Sequence, residues 1–255
     1  MEILETNKLC KTFSTGGVQQ HVICNLDVTI YKGDFTVIMG SSGSGKTTLL
    51  YALSGMDTPT LGEVWFGSSE NKINIAKMKN DELALFRRKH CAFVFQSIYL
   101  QDNMDVLDNV LTSGLLVNKH KREVIDKSKQ LLKRVGLIDN DLLKFPSQLS
   151  GGEKQRVALV RSLINNPEIV FADEPTGALN SASSNQVLDI LTEVNKEGQS
   201  IVLVTHDLKT ALRGNRILYV KDGIISGELI LGYYDDKNSE SRRKILKEFL
   251  EKMGW

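Results

Sequence analysis

The chain is poor in what stiffens, cross-links or charges a protein. Four prolines in 255 residues leave no room for a proline-rich spacer, and no low-complexity tract or internal repeat marks a linker or solenoid. Three cysteines, Cys10, Cys24 and Cys91, are odd in number, widely spaced and without a C-x-x-C pair, which excludes a disulfide framework. Each stands in an apolar context and is expected as a reduced core residue of a cytosolic protein. The 32 basic and 31 acidic residues nearly cancel, so charge gives no case for nucleic acid or an anionic membrane as the main partner. No apolar run approaches the roughly 18 to 20 residues of a spanning helix, and Met1-Glu2-Ile3-Leu4-Glu5 is acidic where a signal peptide is basic. Any membrane association is therefore expected to run through a partner. A hydrophobic content of 41% suffices for one large α/β domain or two small ones.

What the chain does have is Gly40-Ser41-Ser42-Gly43-Ser44-Gly45-Lys46-Thr47, which fits G-x-x-x-x-G-K-[ST] at every fixed position. The apolar, β-branched Phe35-Thr36-Val37-Ile38-Met39 precedes it, and a helical pattern from Thr48 to Leu53 follows. The glycines thus fall at a strand-to-helix turn. Residues without Cβ let successive N–H groups converge on one anion, and the following helix adds its positive end. Lys46 would reach the β- and γ-phosphates of a nucleotide, and the Thr47 hydroxyl would ligate Mg²⁺. A plain Gly/Ser surface turn is the rival reading; the Lys-Thr-Thr ending and the strand before it disfavour that.

Around this cradle the pattern alternates between strand and helix. Ile3 to Leu9 and Val22 to Ile30 read as short strands, with Gly16-Gly17 and Lys32-Gly33-Asp34 as turns. Glu63 to Phe66 is a further strand, Asp81 to Lys89 a helix capped by Asn80 or Asp81, and Cys91 to Phe95 a strand ending at Gln96. From 97 to 149 strand signals vanish, and Val124, Ile125, Ser128, Leu131, Leu132 and Val135 fall at helical spacing until Gly136. Strands resume at Ile169–Ala172, Ser200–Val204, and a hairpin around Asp222-Gly223, with a helix over Asn185–Lys196. The alternation predicts a mainly parallel, doubly wound sheet. The expected organisation is an α/β core over 1–96 and 150–232, a helical subdomain over 97–149 and an amphipathic tail over 233–255.

Two further places carry chemistry. Asp173-Glu174 ends an apolar strand, where ligands of open α/β sheets bind; Asp173 would hold Mg²⁺ and Glu174 would polarise a water attacking a γ-phosphate. The rival is a solvated strand end. Leu149-Ser150-Gly151-Gly152-Glu153-Lys154-Gln155-Arg156 is a second glycine-containing turn opening an apolar helix, and simple capping by Ser150 also accounts for it.

That stretch, standing between the cradle and Asp173-Glu174, resembles the signature motif of ABC transporter nucleotide-binding subunits, and the likeness extends over residues 1 to about 230. The resemblance implies a P-loop NTPase with a RecA-like core, an N-terminal antiparallel β subdomain and a helical insertion. It implies ATP and Mg²⁺ as ligands. Gly40, Ser41, Ser42, Gly43, Ser44, Gly45, Lys46, Thr47 and Thr48 would hold the phosphates, Phe13 would stack on adenine, and Gln96 would contact Mg²⁺ and the attacking water. His206 would contact the γ-phosphate, and Ser150, Gly151, Gly152 and Glu153 would cover nucleotide on a second copy in an ATP-sandwich dimer. An integral-membrane permease is the implied further partner, with the chain peripheral on the cytoplasmic face of the membrane and no nucleic acid bound.

Within the family, Arg87-Arg88-Lys89-His90 before Phe93-Val94-Phe95-Gln96 and Asp173-Glu174-Pro175-Thr176-Gly177-Ala178-Leu179 resemble the branch of macrolide exporters, lipoprotein-release ATPases and bacitracin-resistance-type transporters. The tail, Ile225-Ser226-Gly227-Glu228-Leu229-Ile230-Leu231-Gly232 and then a helix ending Phe249-Leu250-Glu251-Lys252-Met253-Gly254-Trp255, is similar to the antimicrobial-peptide-resistance subgroup. In that helix Ile245, Leu246, Phe249, Leu250 and Met253 form an apolar stripe, with Arg242 among the polar positions, expected to dock on the chain's own domain or a sister subunit rather than on lipid. Asn180 stands where the family pattern has Asp; hydrolysis is expected intact, and coupling between two sites is the property at issue. The alternatives are a soluble ABC-type ATPase of DNA repair or translation, against which the single cassette and the absent basic excess stand, and a module that passes ATP state to a sensor kinase.

Overall fold

The alternation that marks strands breaks after Leu9, which is why the sequence reads as short strands there. In the computed structural model, which describes residues 1–68 and 70–255, a β-bulge absorbs the break and one strand, β1 (Glu2–Thr15), runs through it. It pairs antiparallel with β2 (Val18–Leu26) across the expected Gly16-Gly17 turn. The short β3 (Thr29–Tyr31) pairs with the start of β1 along the same edge as β2, and on the other edge, after β4 (Phe35–Met39) and α1 (Lys46–Leu53), lies β5 (Leu61–Phe66) with the short β6 (Ile73–Asn74). The remaining elements are α2 (Asn80–His90), β7 (Cys91–Phe95), α3 (Val106–Val117), α4 (Lys121–Arg134), α5 (Gly151–Leu163), β8 (Ile169–Asp173), α6 (Ser181–Lys196), β9 (Ser200–Val204), α7 (Leu208–Ala211), β10 (Arg216–Lys221), β11 (Ile224–Ile230) and α8 (Ser239–Met253). The helix expected from Asp81 begins one residue earlier, and its first turn is fixed by the Glu82 carboxylate accepting from the Lys79 N–H at 2.7 Å.

The chain divides into two compact units, 1–85 with 195–255, and 86–194. In the first, β4 lies between β10 and β9 in parallel register, Ile38 opposite Leu218 on one side and Val204 on the other. All five residues of β4 and of β9 are buried, which accounts for their continuous apolar runs. Asn215 pins this ladder, its side chain accepting from the Phe35 N–H at 2.9 Å. At the far edge Asp222 and Gly223, both with positive φ, turn β10 into antiparallel β11. In the second unit β7 and β8 run parallel from Cys91 opposite Ile169 to Phe95 opposite Asp173. The helical segment closes on Val124, Ser128 and Leu132, all buried, and α3 approaches α4 at Gly114, where a Cβ would meet Val124 at 2.3 Å.

The cysteines are free, as expected, but they are not core residues: each is only half-buried. The Cys10 Sγ accepts the Asn25 N–H at 3.2 Å, so it serves the bulge between β1 and β2. Desolvation pushes the Cys91 thiol up, against the pull of Arg87.

The tail also differs from its sequence pattern. Leu246 and Leu250 are buried and Gly227 of β11 admits α8, since a Cβ there would meet Met253 at 2.5 Å and Phe249 at 3.2 Å. Ile245, expected on the same stripe, is instead exposed. Arg242, expected on the polar surface, is only 4% exposed. Its guanidinium donates to the carbonyls of Leu212, Gly214, Leu231, Gly232 and Tyr233, at 2.7 to 3.3 Å. The planar fork of donors satisfies a knot of loop carbonyls that no apolar residue would. Arg242→Met is therefore expected to lower unfolding free energy by about 2–4 kcal/mol, against near zero for exposed Arg243→Met, as thermal or urea unfolding would show.

Candidate phosphate-binding and hydrolytic site

Between β4 and α1 the backbone takes conformations that L side chains rarely adopt: Gly40, Gly43 and Gly45 have φ of 151°, 77° and 98°. Close approach reinforces the requirement. A Cβ on Gly40 would lie 2.1 Å from the Val220 carbonyl oxygen, and one on Gly45 2.8 Å from that of Val22. The loop is thus clamped by β10 and β2, and it delivers Gly45 as the cap of α1. That cap offers no side chain, and the first turn of α1 carries no acidic residue. No side chain of the helix itself compensates its positive end.

Lys46 adds a second positive charge, its Nζ donating to the Gly40 and Ser41 carbonyls at 3.0 and 2.7 Å. Ser44 Oγ is buried without a hydrogen-bond partner. A buried, unpartnered hydroxyl beside a lysine and a helix start with no side-chain cap is the arrangement a phosphate chain completes, so these residues fit a nucleoside triphosphate. Ser41, Ser42 and Gly43 are exposed; Lys46, Thr47 and Thr48 are half-buried. In the same unit Phe13 stands on β1, 42% exposed and outside the core, with Lys11 Nζ 5.1 Å from its ring centre. His206 is exposed at the bend after β9, between buried Thr205 and Asp207, whose carboxylate caps α7 by accepting from the Thr210 N–H at 2.7 Å.

The second unit holds the carboxylates. Because Phe95 pairs with Asp173, Gln96 and Glu174 leave the ends of β7 and β8 side by side. Glu174 has a φ of 48°, a costly conformation for a residue with a side chain. The turn behind it closes through Gly177, whose N–H donates to the Glu174 carbonyl at 3.0 Å, and whose missing Cβ leaves space for Gln96 Nε2, 3.0 Å from that position. Ser150 caps α5, accepting the Glu153 N–H at 3.3 Å while the Glu153 carboxylate accepts from the Ser150 N–H and hydroxyl, both at 2.7 Å. This is a reciprocal capping box, and these bonds from Ser150 hold the Glu153 carboxyl below its usual range. Gly151 and Gly152 bring α5 against the start of α6, with Ser183 Oγ 2.5 Å from a Cβ on Gly152.

The donor types of Thr47, Gln96 and Asp173 are hydroxyl, amide oxygen and carboxylate, hard oxygens of the kind Mg²⁺ takes together with phosphate oxygens. Asn180, the departure from the family pattern, accepts the Ser183 N–H at 2.9 Å and so caps α6.

A profile of the ABC transporter family matches residues 23–177, a span that includes the cradle, Gln96, the Ser150 turn and Asp173-Glu174. The chain belongs to the ABC transporter family. It is 39% identical over 256 residues to the bacitracin export ATP-binding protein BceA of Halalkalibacterium halodurans, covering 100% of this chain and 96% of that one. It is 40% identical over 223 residues to the macrolide export ATP-binding/permease protein MacB of Campylobacter fetus, covering 88% of this chain and 34% of that protein. Two solved structures of one ATP-binding cassette, both dimeric, match 91% of this chain and 100% of their own. One, in a post-hydrolysis state bound to ADP and Pi, has a TM-score of 0.79 at 34% identity; the other, a bacterial ABC transporter cassette, has 0.82 at 36%. As a member of this family the chain is an ATPase built on the P-loop fold.

For an ABC cassette, the sequence pattern gives Gln155 and Arg161 no role. In the structure Gln155 is buried and reaches both strand ends, donating to the Phe95 carbonyl at 3.0 Å and the Pro175 carbonyl at 2.8 Å. Arg161 donates to the carbonyls of Tyr99 and Ile98 at 2.6 and 3.1 Å. Gln155 has no local signal, standing among Glu153, Lys154 and Arg156, whereas Arg161 at least interrupts the apolar run that begins at Val157. Asn180→Asp should leave unfolding free energy within about 0.5 kcal/mol of wild type, because Asn and Asp cap helices equally well; a larger shift in urea unfolding would show that the amide does more than cap.

Proposed function

We propose that this chain is the ATP-hydrolysing subunit of a bacterial-type exporter of the bacitracin-resistance kind. It would drive a separately encoded permease that handles antimicrobial peptides or lipid-linked substrates, from the cytoplasmic face of the membrane. The observation that carries this reading is the glycine cradle at Gly40 to Thr47, opening a helix with no side-chain cap, joined to a likeness to BceA that covers 100% of this chain and 96% of that one. No described helix is long and apolar enough to cross a membrane, so a transport role requires a membrane-embedded partner.

In this reading the backbone N–H groups at the start of α1, with Lys46, Ser44, Thr47 and Thr48, bind and orient the triphosphate of ATP. Phe13 stacks on adenine. Thr47, Gln96 and Asp173 would hold Mg²⁺, which would supply charge neutralisation on the phosphates. Glu174 orients and polarises the attacking water, Gln96 fixes that water's position, and His206 donates to the γ-phosphate. The γ-phosphorus–oxygen bond to the β-phosphate breaks as the water oxygen attacks in line, giving ADP and inorganic phosphate, and positioning with charge neutralisation supplies the rate. Ser150, Gly151, Gly152 and Glu153 serve the nucleotide of a second copy, a role supported by the dimeric form of the solved cassettes.

Glu174→Gln removes the carboxylate while keeping its shape, so ATP affinity is expected within about twofold of wild type and turnover at least a hundredfold lower. Wild-type turnover in that variant would end the assignment. Affinity purification from solubilised membranes of the native host tests the transport role. Recovery with an integral-membrane permease supports it, and recovery with nucleic acid alone contradicts it.

A further inference from the structure

We infer that Gln155 is a positioning residue for hydrolysis, whose side-chain amide sets the spacing between the backbone that carries Gln96 and the backbone that carries Glu174. The inference rests on the roles given to those two residues above. Phe95 and Asp173 form the last pair of the β7 and β8 ladder, and beyond it the two backbones have no further rung. Gln155 supplies one. Its Nε2 donates to the carbonyl immediately before Gln96 and to the carbonyl immediately after Glu174, at 3.0 and 2.8 Å.

Three features point to positioning rather than packing. Both Nε2 protons are spent on backbone carbonyls, which fixes the amide's orientation, and the Oε1 atom is left buried without a partner. Met would fill the same space without that unpaired oxygen, so the amide is worth its cost only for what it holds. Next, the residues on either side are conformationally expensive: Glu174 and Tyr99 have φ of 48° and 49°. Such backbones persist only where neighbours over-determine them. Last, Arg161, further along α5, binds the Ile98 and Tyr99 carbonyls, so the same helix holds the backbone on both sides of Gln96. The helix that Ser150 caps therefore also carries the spacer of the hydrolytic residues, and a displacement of α5 would be transmitted to both strand ends.

Gln155→Met in the full chain is the test, read by steady-state ATPase kinetics and by hydrogen exchange of the nucleotide-free protein. The expected result is a kcat at least about tenfold lower with KM for ATP within twofold, and exchange at least about tenfold faster at the amides of 96–99 and 174–177 alone. Gln155→His, which keeps one N–H donor, should fall between Met and wild type. A kcat within twofold of wild type for the Met variant overturns the inference, as does a KM rise matching the kcat loss, uniformly faster exchange, or failure of both variants to fold. Glu174→Gln, run alongside, separates the two levels. If it retains turnover, the roles beneath the inference fail; if it is inactive while Gln155→Met is not, only the positioning role fails.

Discussion

The structure depends on one helix end that no side chain caps. α1 begins at a glycine with no side-chain cap and no carboxylate in its first turn, and Lys46 lies against the same loop. A helix end of this kind is normally paid for by a capping side chain, as Ser150 does for α5 and Asn180 for α6. Here the chain withholds the cap, and it holds the bare loop in place by close contact, with Val220 and Val22 standing where side chains on Gly40 and Gly45 would be. The surrounding β10, β4 and β9 ladder, buried throughout β4 and β9, makes that geometry rigid before any anion arrives.

The second unit applies the opposite strategy. The start of α5 is fully capped, with Ser150 and Glu153 satisfying each other, and Glu174, like Tyr99 and Asn166, is held at positive φ. The register of β7 and β8 places Gln96 beside Glu174, and α5 holds the carbonyls that flank them. Anion affinity and carboxylate placement are thus built by separate means, which is why a carboxylate change is expected to alter turnover without altering binding.

Features set by local pattern were legible in the sequence. The strand, glycine turn, lysine and helix of the cradle follow one another within twenty residues, and β7, β9 and the Asp222-Gly223 hairpin are fixed by runs and turn residues of the same local kind. Features set by long-range contact were not legible. The bulge at Leu9 breaks the period by which β1 would be read as one strand. Arg242 carries no local sign of burial, because its partners are carbonyls 9 to 30 residues away in sequence. Gln155 is similar: its partners lie 60 and 20 residues off, on two strand ends that only the fold brings together. Asn180 stands where the family pattern has a carboxylate, and its capping of α6 shows only once the Ser183 N–H is seen against its amide.

If the cradle of one chain is completed by the Ser150 turn of another, each chain holds half of two sites. Mixing two inactive proteins tests this directly: one carrying Lys46→Ala, with a disabled cradle, and one carrying Ser150→Arg, with a disabled turn. Mixed dimers pair an intact Lys46 with an intact Ser150 in one of their two sites, so the mixture should regain ATP hydrolysis that neither variant shows alone. A mixture as inactive as its components, with mixed dimers demonstrably formed, would contradict the shared site.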